Sequence, residues 1–521
     1  ASAGASIALH RMLTDWNESS TWNLLSGGIT ADDIEAIATA DSTLPDASAT
    51  GYVTFSGLAS TVQAWLDGDI NHGWAILTDV TNGWDFVSSE GVTIAERPEL
   101  IIEYSAPEPQ ASTAHTLTVT NTFDVVNGDV TSIDNLIADD GGDGISLREA
   151  ILAANYTINS GGPDTVNFNI STSDPGYIDP TPGAPGNGDE YWSIAPTSFL
   201  GFITDPVILD ATTQPGYGGN PVIEIDGSAM GSGTAGLVLR TNDSTIKGFS
   251  VHSSPDEGIE IDGATGFGDN NTIQGNGIGL DAEGNVQGNT EYGLMFTSDA
   301  DGNQIGGTGA NEGNVIAGNT AFAGVIIRDS DNNTLEGNFI GVASDGVTSL
   351  GNLSHGILLN DTAANNVIGG TAAGAGNIVA NNTGDGIRLD DTAGTQNTFL
   401  QNQIYNNTGI GIEIAEAGPT YGVTLNDAGD GDGGVNNQQN FPVLTAVDVD
   451  SASSVTIDGT IDSLATTTYR IEFFANSAAD GSGYGEAERY LGFTTVMTDG
   501  SGNANFSVNL AASVSVGEFI T

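Results

Sequence analysis

A Gly followed by an apolar–x–apolar triplet recurs through the middle of the chain. It reads GLVL at 236, GIEI at 258, GLMF at 293, GVII at 324, GILL at 356, GIRL at 386 and GIEI at 411. The steps between them are 22, 35, 31, 32, 30 and 25 residues, the spacing of a structural repeat. Most intervals also hold an N-x-apolar segment: Asn271/Ile273, Asn303/Ile305, Asn333/Leu335, Asn366/Ile368 and Asn397/Phe399. A third segment follows, mostly GN-x-apolar: Asn276/Ile278, Asn314/Ile316, Asn338/Ile340, Asn377/Val379 and Asn402/Ile404. Three short strands per turn, with apolar residues inward and Asn or Gly at the bends, predict one coil of a parallel β-helix. Coils from 258 and 324 carry extra residues after the third strand, whereas coils from 293 and 356 carry them before it. The underlying unit is therefore a pair of coils. Gly and Asn at this density oppose an α-solenoid. The Asn columns predict hydrogen-bonded ladders along the stack.

A stack of coils has open ends and needs caps. The expected helix lies where the first cap belongs: in SLREAILAANY (146–156), Ser146 and Glu149 form a capping box ahead of an apolar run. After the repeats come VTIDGTI (455–461), YRIEFFAN (469–476), RYLGFTTVMT (489–498) and NANFSVNL (503–510), separated by turn signals. The predicted architecture is all-β, a parallel β-helix flanked by two β-sandwich modules, with one short capping helix. Its boundaries are a partial sandwich over 1–105, a linker over 106–114, the β-helix over 115–438 and a second sandwich over 439–521. The first module holds YVTF (52–55), ELIIEYS (99–105) and a tryptophan set of Trp16, Trp22, Trp65, Trp74 and Trp84, read as sandwich core.

Charge narrows the partners. There are 67 Asp plus Glu against 9 Lys plus Arg, a formal net charge of −58. So few cations cannot form the basic patch that displaces counterions from nucleic acid, nor attract an anionic membrane surface. No apolar run reaches the length of a transmembrane helix, and no secretory leader opens at Ala1. The absence of Cys removes disulfides, thiolate metal sites and Cys nucleophiles together. Such acidity suits a salty, calcium-containing medium that screens self-repulsion.

The stretch DDGGDGISLREAILAAN (139–155), followed by DTVNFNI (164–170) and the IGG–GN repeats, resembles the CSLREA-type right-handed β-helix proteins of bacterial surfaces. Ile145 stands where that family has its namesake Cys, which marks a packing position. HRMLTDWNESSTWN (10–23), VQAWLDGDINHGWAI (62–76) and ERPELIIEY (96–104) resemble the back half of a DNRLRE-type β-sandwich. NNQQNFPVL (436–444), YRIEFFANS and GYGEAERYLG (483–492) resemble the sandwich module that often follows these β-helices. The resemblance implies a secreted, multi-domain surface or matrix protein. It also implies that both end modules are cut within their folds, to be completed by strands of a neighbouring chain or of further sequence.

Candidate sites follow from the repeat. The outward residues of the triplet are Val238, Glu260, Met295, Ile326, Leu358, Arg388 and Glu413. The apolar middle of that column opposes a catalytic groove, and Met295, Ile326 and Leu358 form a candidate contact stripe. Asp329, Asp361, Asp391 and Glu416 each fall five residues after a repeat Gly, an acidic column that could hold divalent cations. Asp427, Asp430 and Asp432, in the Gly-rich loop NDAGDGDGGVNN (426–437), are candidate calcium ligands. The loop DDGGDG (139–144) is built similarly. Sequons such as that at Asn360 follow from Asn and Thr content alone. The five His are dispersed, and no HExxH or GxSxG occurs. The expected role is non-enzymatic: a stiff extracellular structural or adhesive segment of a cell surface, matrix or filament. Its partners would be further copies, neighbouring surface proteins or polysaccharide, with calcium as the one cofactor. The competing expectation is a lyase, hydrolase or epimerase acting on polysaccharide, or a carbohydrate-binding module.

Overall fold

The computed structural model describes residues 7–13, 29–32, 34, 36–44, 54–58, 61–62, 72–78, 114–159, 161–182, 188–264, 266–415 and 422–521. The chain divides into two units, Ala1–Ala106 and Pro107–Thr521. In the first, Ile7–Arg11 is the centre of an antiparallel sheet, paired with Ser42–Leu44 and Trp74–Thr78. Met12, Ala36 and Ala75 form its small described core, and the Trp74 indole donates to Asp41 Oδ2 at 2.6 Å. Trp16, Trp22, Trp65, Trp84 and the segment ELIIEYS lie outside the described residues, as does most of the linker.

The second unit opens as a parallel β-helix. Sheet A carries the repeat triplets, from Phe202–Ile203 to Ile412–Ile414. Sheet B runs from Thr116–Val119 to Thr398–Leu400, and sheet C from Tyr177–Ile178 to Gln403–Tyr405. Apolar columns face inward from all three. Ile246, Ile273, Ile305, Leu335 and Ile368 come from sheet B, and Val251, Ile278, Ile316, Ile340, Val379 and Ile404 from sheet C. All are buried in one continuous core.

The repeat Gly is explained by space. A Cβ on Gly324 would sit 2.8 Å from the Asn352 side-chain amide and 2.9 Å from the Gly356 carbonyl of the next coil, closer than packed atoms tolerate. The residue just before each sheet B Asn is in the left-handed region, as at Asn270, Gly302, Asn332 and Asn365. Asn and Gly accept that conformation most readily.

The expected ladders are present, and among the described residues there are three of them. Before sheet B, the backbone N–H of each rung donates to the side-chain oxygen of the next, from Ser244 through Asn271, Asn303, Asn333 and Asn366 to Asn397. Before sheet C the chain is Asn276, Asn314, Asn338, Asn377 and Asn402. A third column, not singled out from the sequence, joins Asn289, Asn319, Asn352, Asn382 and Asn407 before sheet A. These side chains are buried, and their amides also donate to one another and to backbone carbonyls. The turns therefore leave no cost of stranded polar groups at these positions.

Both ends of the stack are closed. At the first end stand two helices, α1 (Ile133–Ala138) and α2 (Leu147–Tyr156), where the sequence suggested one. Ile133, Leu136, Leu147 and Ile151 join the core. The six residues of α1 are too few for a periodic apolar face to stand out. The Ser146–Glu149 capping box forms as expected. Buried Glu149 also accepts the backbone N–H groups of Asn127 and Gly128, both at 2.9 Å. Ile145 is buried.

At the other end lie two antiparallel three-stranded sheets, Val443–Ser451/Ser454–Asp462/Asn503–Leu510 and Arg489–Met497/Thr468–Asn476/Phe519–Ile520. Their shared core includes Val455, Ile457, Phe473 and Phe506. Strand Val443–Ser451 was not expected: it is exposed along most of its length, so it lacks the buried alternation that marks a core strand. This module covers the last coil. Ile404 and Ala487 exchange backbone hydrogen bonds, at 2.9 and 2.8 Å. Glu472 accepts the Gln401 N–H at 2.7 Å, and Glu486 that of Asn406 at 3.1 Å. The sheet B ladder ends on Asn436, whose Oδ1 takes the Asn397 N–H at 2.9 Å.

Candidate functional site

The outward column of sheet A stacks in the register read from the repeat. Glu260 pairs with Met295, Met295 with Ile326, Ile326 with Leu358, Leu358 with Arg388 and Arg388 with Glu413. Its apolar middle is partly self-covered. Ile326 is fully buried in an outer cluster with Tyr292 and Ala323, while Met295 and Leu358 are half-buried. The Tyr292 ring stacks on Phe322 with centroids 5.4 Å apart.

Where this column turns charged, a cleft of about 500 Å³ opens, lined by His355, Leu358, Asp385, Arg388, Asp390, Ile410 and Glu413 among others. Arg388 Nη1 donates to Glu413 Oε2 at 2.5 Å and lies 3.6 Å from Asp385 Oδ2, and Nη2 lies 3.7 Å from Asp390 Oδ1. His355 Nδ1 is 3.2 Å from Asp385 Oδ2 and 3.0 Å from the Asp385 backbone nitrogen. Asp385 Oδ1 accepts the Ile410 N–H, and Glu413 Oε1 that of Gly422. The two carboxyls are also hydrogen-bonded to each other. Burial, helped by that bond, raises the Glu413 pKa. Burial alone would raise Asp385, but the bonds from His355 and Glu413 outweigh it and hold Asp385 low. Arg388 and Glu413 were legible as column members. His355 and Asp385 were not, because each lies outside the triplet and joins the group only through the stacking of successive coils.

The candidate calcium ligands do converge. Among the described residues two groups of three carboxylates bring ligand atoms within 4.8 Å of one another, Asp427/Asp430/Asp432 and Asp256/Glu257/Glu291. Asp430 is buried, accepting from Asn440 N at 2.9 Å and Ser463 Oγ at 2.5 Å, and Asp427 accepts from Gly431 N at 3.2 Å. The second group escaped the sequence reading because its members come from two different coils. There, burial and neighbouring Asp256 push buried Glu257 up to about 7. Burial and Asp262 do the same to nearby Glu260.

Asp329, Asp361 and Asp391 belong to neither group. Asp329 and Asp361 line a cleft of about 450 Å³ with Arg328 and Thr362. There the Thr362 hydroxyl donates to Asp329 at 2.9 Å, and Arg328 Nε lies 3.6 Å from Asp361. Asp391 donates its backbone N–H to the Asp390 carboxylate at 2.9 Å, and Glu416 lies outside the described residues. In the loop 139–144, Asp140 and Asp143 instead bind Gly142 N and Asn127 Nδ2.

A family described as periplasmic copper-binding protein (NosD) matches residues 281–430, less than a third of the chain. That region is a NosD-like parallel β-helix. No curated protein matches. Among solved structures, the Dettilon tailspike protein is 11% identical with a TM-score of 0.19, covering 68% of this chain and 87% of its own. Tailspike protein 2 of the Escherichia coli O157:H7 bacteriophage CAB120 is 13% identical with a TM-score of 0.18, covering 68% and 51%. Similarity this slight carries no inference. The narrower likeness to CSLREA-type and DNRLRE-type proteins rests on sequence motifs alone. Copper prefers imidazole and sulfur ligands. Residues 281–430 contain one His, one Met and no Cys. His355 and Met295 are two strands apart and three positions out of register, so they cannot share an ion, and the residues present do not fit copper.

Proposed function

We propose that this chain is a non-enzymatic, extracytoplasmic structural and adhesive segment, a stiff solenoid that spans distance on a cell surface or in a matrix. The observation that carries the reading is the continuity of the three buried Asn ladders. A stack in which each bend is hydrogen-bonded to the next deforms only by breaking a row of bonds together. The high negative charge supports an external setting of high ionic strength. Among the described residues no helix is long and apolar enough to cross a membrane. The narrower likeness to CSLREA-type surface proteins supports the same placement.

Asp427, Asp430 and Asp432 would hold calcium rather than copper, since an all-carboxylate set suits a hard cation. Melting in calcium against chelator tests this: a rise in Tm that Asp432→Asn removes is expected, and an unchanged Tm rejects it. Placement is tested by protease shaving of intact source cells. The chain should be released from the surface, and full protection of a chain present in the cells would refute surface exposure.

A second reading, polysaccharide turnover, draws support from the Asp385–Glu413 pair. Against it, these carboxyls are in hydrogen-bond contact, whereas glycoside hydrolysis uses a pair about 5–9.5 Å apart to hold the sugar or water between them. Release of reducing ends or unsaturated products from a polysaccharide panel would establish it over the leading reading.

A further inference from the structure

We propose that the cleft at the end of sheet A binds an uncharged, hydroxyl-rich ligand, a short stretch of neutral polysaccharide, between Arg388, the Asp385–Glu413 pair and the apolar side chains of Leu358 and Ile410. The inference rests on the adhesive half of the reading above and gives it a ligand class.

The size fits: about 500 Å³ lies within the roughly 300–1,000 Å³ of small-ligand sites. The chemistry selects by elimination. A cation would have to separate Arg388 from Glu413, which are 2.5 Å apart, while meeting the guanidinium at close range. An anionic ligand such as a uronate chain would face Asp385 and Asp390 on a chain of net charge −58. A purely apolar ligand would strand Arg388 and three carboxyl groups without water, at high cost. A sugar hydroxyl both donates and accepts, so one ligand can meet both carboxyl groups and a guanidinium in the same cleft.

The groups are also held in place before any ligand arrives. Arg388, Glu413 and Asp385 are 8%, 2% and 7% exposed; the Asp385 carboxylate accepts the Ile410 N–H, and the Asp385 backbone N–H donates to His355 Nδ1. Gly409 lets the backbone approach this carboxylate: a Cβ there would fall 2.0 Å from Asp385 Oδ1. Preorganised polar groups beside apolar walls are what weak, hydroxyl-directed recognition requires.

The test is isothermal titration of the full chain with cello-, malto- and xylo-oligosaccharides, with oligogalacturonate as the charged control. Heat of binding from at least one neutral oligomer is expected. Leu358→Trp, which fills the cleft while keeping every ion-paired residue, should weaken it at least about tenfold with little change in Tm. Arg388→Gln should do likewise if it folds. No binding by any neutral oligomer at millimolar concentration, preference for oligogalacturonate, or binding indifferent to Leu358→Trp would each overturn the proposal. Protease shaving is unaffected by these outcomes, so the two readings fail separately.

Discussion

At the scale of single residues, the bends depend on buried polar side chains that bond along the stack. Asn338 accepts from the backbone and side-chain amides of Asn314, and donates to Asn377 and to the Ile305 carbonyl. Asn338→Ala leaves the buried Asn314 backbone N–H without an acceptor, at about 1–3 kcal/mol, and its side-chain amide with the Ile273 carbonyl alone. Urea unfolding should show the midpoint falling accordingly, and a neutral result would mean that the ladder is ornamental. Two of the three ladders were legible because Asn recurred at a fixed offset from an apolar residue. The third was hidden because Asn289, Asn319, Asn352, Asn382 and Asn407 lack the large apolar residue two positions on that marks the other two columns.

Glutamates set the pH response. Burial raises Glu257 and Glu260 to about 7, so between the ordinary glutamate value and 7 the folded chain holds more protons than the unfolded chain. Stability is therefore present at mildly acid pH and is lost as pH rises through that window. Tm should be higher at about pH 5 than at about pH 8, and Glu257→Gln with Glu260→Gln should flatten the profile. A profile that rises toward pH 8 would contradict the burial of these groups.

Among elements, the ends of the stack depend on different chemistry from its middle. The first cap is apolar, with α2 laid against the core, and its capping box was readable from Ser146 and Glu149 alone. The second is polar: Glu472 and Glu486 take backbone N–H groups that a further coil would otherwise bind. Nothing local in the sequence distinguishes these two glutamates from exposed ones. Their role arises from how the C-terminal module docks, through the Ile404–Ala487 pairing. Glu486→Ala should speed hydrogen exchange at Asn406 and its neighbours in the last coil, leaving the coils from 259 to 340 protected. Loss of protection spread evenly along the stack would show that the coils open as one unit and that the cap is not local. The cleft has the same origin: His355, Asp385 and Glu413 lie on three successive coils, and only stacking brings them together.

For the molecule as a whole, the repeat made the solenoid legible because its period is written in residue types that sterics demand. The Gly column has no room for a Cβ, and left-handed bends take Asn and Gly. What the ends and the cleft do is written in distances between coils, which no single repeat displays. The function proposed for this stack is that of a stiff surface element and not of a free catalyst. Electron microscopy of the native material around its source cells tests that most directly. Ordered rods or filaments attached at the cell surface and labelled by an antibody to residues 443–521 are expected. Dispersed single molecules, unattached and confined to the periplasm, would contradict it.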